Sequence, residues 1–228
     1  MARSFDNLYI GGSWVPAGSA FDDLNPADGS VWARVADGNG SMATRAIESA
    51  QAAFPQWSGL NYNERAHYML KVADEFERRR EDLVVALQGE GGGWFGKGMF
   101  ESGYVPEVFR AAAAMTYNSI GEVMPSDHGK VSMAMRRPIG VVTVISPWNF
   151  PTLLTARGLA FPIAAGNCVV LKPSEETPYT GGMIFAEIFE AAGVPPGVLN
   201  VVTCSRENVP AVGDIIVEHP LIKGISFT

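Results

Sequence analysis

Two polar clusters, each closing an apolar run, carry the chemistry of this chain. Ser146, Pro147, Trp148 and Asn149 follow VVTVI, and Lys172, Pro173, Ser174 and Glu175 follow CVVL. The Asn149 carboxamide, held between an apolar run and Pro151, is a neutral donor. Such a group stabilises the negative oxygen that develops when a nucleophile adds to a carbonyl, and losing one lowers rates by about 10² to 10³. Asparagine also caps helices, and side-chain chemistry alone leaves both roles open. Lys172 and Glu175 are a cation and a carboxylate placed just past a strand. They form either a solvated ion pair or a grip for a polar ligand.

The elements around these clusters decide where they point. Residues 141–175 predict strand, tight turn, helix and strand, with both polar clusters at strand exits. In an open parallel sheet, ligands collect beyond the carboxyl ends of the strands, so the two clusters face one crevice. The alternation continues, with strands at 141–145, 168–171, 198–202 and 223–227 and helices through 164, over 179–192 and over 209–217. Connections of this kind predict a Rossmann-like sheet. CVVL is apolar on both alternating faces, as a strand covered by helices on each side must be. Gly193, followed by Pro195 and Pro196, stops the second of these helices.

The first half of the sequence reads differently. Short strands are expected around residues 8–15 and 31–35, broken by glycine and proline. A first helix is predicted over 43–54, ending before Pro55. A second starts at a capping box, Asn61 with Glu64, and repeats Ala66, Met69, Leu70, Ala73 and Phe76 at helical spacing, running with a break near Arg80 to Gln88. A third is predicted over 100–117, with Pro106 near a turn or kink. Between them, Gly91, Gly93 and Gly96 match the spacing of a dinucleotide fingerprint. That fingerprint works only after a strand, whereas EDLVVALQ is helical, so GGGWFG is expected to be a loop between helices. Residues 121–139 alternate around a turn at 127–129 as a hairpin arm would.

Composition removes other classes of function. Acidic residues outnumber basic ones 24 to 17, a net charge of −7, which is the wrong sign for a nucleic-acid surface. The longest apolar stretch, 159–171, is interrupted by Pro162, Gly166 and Asn167 and falls short of the roughly 20 residues of a membrane span. The opening MARSFDNLYIGG lacks the apolar core of a signal peptide, so a cytoplasmic address is expected. Two cysteines do not make a disulfide framework.

PWNFP, then GNCVVLKPSE, together with LYIGGSWV, NPADG and ISFT, resembles the aldehyde dehydrogenase superfamily over essentially the whole chain. The resemblance implies an α/β fold: a Rossmann-like parallel sheet with N-terminal helices and a β-hairpin oligomerisation arm, the catalytic domain being absent from this chain. The expected divisions are residues 1–119 as the N-terminal part of the cofactor-binding domain, 120–138 as the arm and 139–228 as the Rossmann-like core. Asn149 takes the oxyanion role. Ile145, Ser146, Pro147, Trp148, Lys172, Ser174 and Glu175 take the cofactor, with Lys172 and Glu175 at the adenosine ribose. A carboxylate there accepts from ribose hydroxyls and repels a 2'-phosphate, which favours NAD over NADP. Phe100, Tyr104, Phe150, Leu153, Leu154 and Arg157 face the substrate tunnel, each also a candidate for plain core packing. Arg157 stands where many family members carry tryptophan.

The segments GGGWFGKGMFESGYV and TCSRENV are similar to members acting on benzaldehyde, salicylaldehyde or vanillin. The expected partners are a small-molecule aldehyde and further copies of the chain, as a dimer or tetramer when full length, with no nucleic acid or membrane. Family members continue past residues like Phe227 and Thr228 to a general-base glutamate and a nucleophilic cysteine, so this chain alone is expected to be inactive. Cys168 and Cys204 are not expected to replace that nucleophile. A non-catalytic nucleotide-binding or oligomerising module and a semialdehyde dehydrogenase are the alternatives.

Overall fold

Valine and isoleucine runs that are apolar on both faces build the centre of the molecule, because such strands are stable only where helices shield each side from water. The computed structural model describes residues 3–228. Its strands are β1 (Arg3–Phe5), β2 (Asn7–Ile10), β3 (Ser13–Pro16), β4 (Ala20–Leu24), β5 (Val31–Ala36), β6 (Gly121–Met124), β7 (Ser132–Met135), β8 (Val141–Ile145), β9 (Cys168–Lys172), β10 (Leu199–Val201) and β11 (Ile222–Phe227). Its α-helices are α1 (Gly40–Gly59), α2 (Tyr62–Arg78), α3 (Arg80–Gly89), α4 (Phe95–Met115), α5 (Pro151–Ala164), α6 (Ile184–Ala191) and α7 (Val209–Glu218). A π-helical turn, Tyr179–Met183, leads into α6.

The main sheet runs β11-β8-β9-β10-β2-β3. Its first four strands are mutually parallel, and β2 and β3 add to β10 as an antiparallel hairpin. Helices α1 and α7 pack on one another, with α1 against β8, β9 and β10, while α5 and α6 contact the sheet and carry α2 and α4 outside them. A small sheet, β1-β5-β4, and the two-stranded β6-β7 hairpin complete the fold. Val169, Val170 and Leu171 have no exposed surface, as strands covered on both sides require.

The parallel half follows the sequence closely. The first half departs from it more, beginning with β1 and β4, which lie outside the expected strand positions. Helix α1 runs through Pro55 instead of stopping before it. Proline removes one helical hydrogen bond, but the turn beyond it is held by Trp57, which is buried and donates its indole N–H to the Ile163 carbonyl at 2.9 Å. Helix α4 starts at Phe95, ahead of the expected position, and Pro106 lies inside it without ending it. Leu70 is exposed, off the face formed by Ala66, Met69, Ala73 and Phe76. The Asn61–Glu64 capping box is present in both directions, at 3.0 and 2.8 Å.

GGGWFG connects α3 to α4 and follows no strand, so the dinucleotide-fingerprint geometry does not arise there. The β6-β7 hairpin is antiparallel, with Val123, Val131 and Met133 exposed along it. No helix among the described residues is long and apolar enough to cross a membrane.

Candidate active site at the strand exits

Register brings the two polar clusters together. Ile145 lies opposite Lys172 across the β8-β9 pair, and the Ser146 amide donates to the Lys172 carbonyl at 3.2 Å. On the other side of β8 lies β11, not β10, with the Thr228 amide donating to the Ile145 carbonyl at 3.3 Å. After β8 the sheet grows in one direction through β9 and β10, and the chain then returns to place β11 on the opposite side. The exit of β8 is therefore the topological switch point, where open α/β sheets leave a crevice for ligands. Sequence spacing places both clusters at one crevice, while chain order alone does not reveal the reversal at β8.

Asn149 stands in the turn between β8 and α5. Its side chain is exposed and makes no hydrogen bond among the described residues. Phe150, not Asn149, occupies the cap of α5, and it contributes no side-chain bond. The job of satisfying the helix start falls to Glu101 of α4, fully buried, whose carboxylate accepts from the Leu153 amide at 3.2 Å. The capping role left open by residue type is thus taken by another side chain, and the Asn149 amide is free to serve a ligand.

Lys172 and Glu175 do not bond to each other. Lys172 is 5% exposed, and its ammonium donates to the Pro173 carbonyl at 3.0 Å, leaving further N–H donors in a buried position. Glu175 pairs with Arg206, past β10, at 3.2 Å, and Arg206 also holds Glu176 at 2.7 Å. A cleft of about 530 Å³ opens over Glu175 and Arg206, lined also by Trp148, Ser174, Glu176 and Thr177 among others. The hydroxyls of Ser146 and Thr177 are buried with no partner among the described residues. The Thr177 hydroxyl and the Glu175 carboxylate on the cleft wall, with the buried Ser146 hydroxyl and Lys172 ammonium at the adjoining strand exits, are groups that fit the hydroxyl-rich portion of a dinucleotide. Ile145 and Pro147 are half-buried beneath this rim.

An aromatic cluster lies beside the turn. Phe100 and Tyr104 stack at 5.7 Å, and Phe100 meets Phe150 edge-on at 6.3 Å, with Phe100 and Tyr104 half-exposed. Arg157 is exposed and Leu154 half-buried. Leu153 differs from its expected placement. It is 6% exposed and belongs to the core, so α5 turns Leu154 and Arg157, not Leu153, toward open space.

Buried carboxyls were not foreseen as part of the site. Glu90, 1% exposed, accepts from the amides of Tyr179 and Thr180 at 2.6 and 2.8 Å, fastening the π-helical turn after the Glu175 exit. Asp23 lies against it, and burial followed by the neighbouring Glu90 charge pushes the Asp23 carboxyl up to about 9. Burial also raises Glu90, less strongly because of the hydrogen bonds it accepts, so the pair retains a proton at neutral pH. The signal available in the sequence was slight, an isolated acid beside the GGG run. The cysteines are both buried, and burial pushes the thiols up, to about 12 for Cys168 and about 11 for Cys204. Neither is an activated nucleophile.

A parallel α/β core with polar groups gathered at its switch point is the class of fold that leaves a ligand crevice at the strand exits. Residues 14–228 match the Aldehyde dehydrogenase family, and the chain belongs to it. It is 38% identical over 226 residues to a vanillin dehydrogenase of Pseudomonas sp. (strain HR199 / DSM 7063), covering 97% of this chain and 46% of that protein. It is 33% identical to the mitochondrial succinate-semialdehyde dehydrogenase of Rattus norvegicus, covering 96% and 42% respectively. Among solved structures, an NAD-dependent benzaldehyde dehydrogenase from Corynebacterium glutamicum superposes with a TM-score of 0.92 at 36% identity, over 97% of this chain and 48% of that one. The chain thus spans less than half the length of these relatives.

Proposed function

We propose that this chain is the cofactor-binding part of an enzyme that oxidises an aldehyde, an aromatic one, to the carboxylic acid with NAD. NAD, when bound, supplies the hydride acceptor. Within this reading, Asn149 donates its amide to the carbonyl oxygen as negative charge gathers there. Glu175 accepts from the ribose hydroxyls, Lys172 donates to them, and Ser146, Ser174 and Trp148 line the approach. Phe100, Tyr104 and Phe150 supply the apolar wall for an aromatic ring. The nucleophilic thiolate and the general base of the family's reaction are not assigned to this chain, since both of its cysteines are buried with raised thiols. The β6-β7 hairpin serves as the oligomerisation arm.

One observation carries the reading: the Asn149 amide, relieved of helix capping, stands at the exit of β8 directly beside the exit that bears Glu175. NADH production with benzaldehyde, measured on full-length enzyme carrying this chain and on residues 1–228 alone, tests it. Turnover is expected only from the former. Turnover by residues 1–228 alone would refute the placement of the nucleophile.

Arg157 favours a second reading. An exposed cation on α5, the helix that Phe150 leads into, suits an aldehyde that also bears a carboxylate, as in a semialdehyde. Comparing kcat/KM for benzaldehyde and succinic semialdehyde separates the two.

A further inference from the structure

The connection between α3 and α4 is flanked by two buried glutamates, each fastened to the start of one of the helical segments that follow the site's strands. Glu90 holds the π-helical turn, and Glu101 holds α5. Glu101 has no exposed surface, and a buried carboxylate is stable only when its oxygens are satisfied. One oxygen accepts from Lys97 Nζ at 2.6 Å, and the other accepts from the Leu153 amide. Lys97 in turn sits over the Phe150 ring, 4.8 Å from its centre. Lys97 and Glu101 therefore grip both residues that fix the turn carrying Asn149: Phe150, its immediate neighbour, and Leu153, in the first turn of α5.

We propose that Lys97 and Glu101 are positioning residues for Asn149, holding its amide where the oxyanion forms. The inference rests on the oxyanion role proposed above. The requirement for a carboxylate is stereochemical: it accepts from both partners at once, whereas an amide offers one acceptor and one donor group. Glutamine at 101 must confront either the Lys97 ammonium or the Leu153 N–H with its own NH₂. The start of α5 then shifts, and a misplacement of about 1 Å can cost on the order of 10²-fold in rate.

The test is a double-mutant cycle in full-length enzyme, reading kcat and KM for benzaldehyde. Glu101→Gln is expected to lower kcat by about 10-fold or more with little change in KM for benzaldehyde. In an Asn149→Ala background the same substitution should change kcat by less than about 2-fold, because the group it positions is gone. Lys97→Gln, at a partly exposed site, provides a second variant with the same expected dependence on Asn149, and Glu101→Asp should restore part of the activity. Faster hydrogen exchange at the Leu153 amide in Glu101→Gln reports the lost contact independently of turnover. If Asn149→Ala lowers kcat but Glu101→Gln and Lys97→Gln lower it further by undiminished factors, the positioning proposal fails while the oxyanion reading stands. If Asn149→Ala leaves kcat unchanged, the oxyanion reading fails and takes this proposal with it.

Discussion

Asn149→Ala separates two things an asparagine can do at a strand-to-helix turn, and the structure assigns them different costs. As a helix cap, Asn149 would contribute about 1 kcal/mol, lost on substitution. That loss would lower the melting temperature by about 2–4 °C in a chain of this size. Its side chain makes no such bond, the cap position is Phe150, and Glu101 takes the Leu153 amide. An exposed side chain without partners contributes within about 0.5 kcal/mol of nothing. The expected result is thus an unchanged melting temperature together with a fall in kcat of about 10² to 10³. Thermal unfolding by circular dichroism and steady-state oxidation of benzaldehyde by full-length enzyme supply both numbers. A fall of several degrees with kcat intact would refute the reasoning and return Asn149 to a capping role.

Glu175→Ser removes the carboxylate that opposes a 2'-phosphate, so the ratio of kcat/KM for NADP to that for NAD should rise by about 10-fold or more; an unchanged ratio would remove Glu175 from the ribose site. A carboxyl whose pKa rises on folding stabilises the protein fully below its unfolded value and loses that contribution as pH climbs through the folded one. Asp23, pushed up to about 9, should therefore make the wild type lose stability relative to Asp23→Asn, by at most about 1.4 kcal/mol per pH unit, in urea titrations between pH 5 and about 9; parallel profiles would contradict the shared proton. Asn167 accepts from the Ile139 and Gly140 amides at 2.7 and 3.1 Å and donates to the Pro162 carbonyl at 3.0 Å. Asn167→Ala should cost about 1–3 kcal/mol in chemical denaturation, with kcat altered far less than stability.

What the sequence disclosed follows from how locally each feature is encoded. β8, α5 and β9 were legible because apolar runs, a proline at the helix start and a glycine before β9 each act within a few residues. Pro55 misled because its local effect is real, but a contact between Trp57 and Ile163, far apart in the chain, outweighs it. The antiparallel addition of β2 and β3 to β10, and the return of β11 beside β8, are pairings between distant segments that no local pattern specifies. The same holds for the site: Asn149 and Glu175 stand on exits that can be read from runs of residues. Glu90, Glu101 and Arg206 act on the site through partners 30 to 90 positions away, so the chain around them does not show which element they hold.

The pairing of Glu175 with Arg206 bears on how the proposed ribose site could work. Arg206 is largely exposed, and an ion pair open to water contributes only about 0–1 kcal/mol. A ligand hydroxyl can therefore replace the guanidinium at Glu175 at small cost. Lys172 is different, since its ammonium is buried, donates to the Pro173 carbonyl and forms no ion pair with Glu175. A 2'-phosphate arriving at this rim would meet Glu175 and Glu176 together with one exposed guanidinium already shared between them. Selectivity for NAD would then come from the excess of carboxylate over available cation at the rim, and Arg206→Ala should sharpen it, whereas Glu175→Ser should relax it.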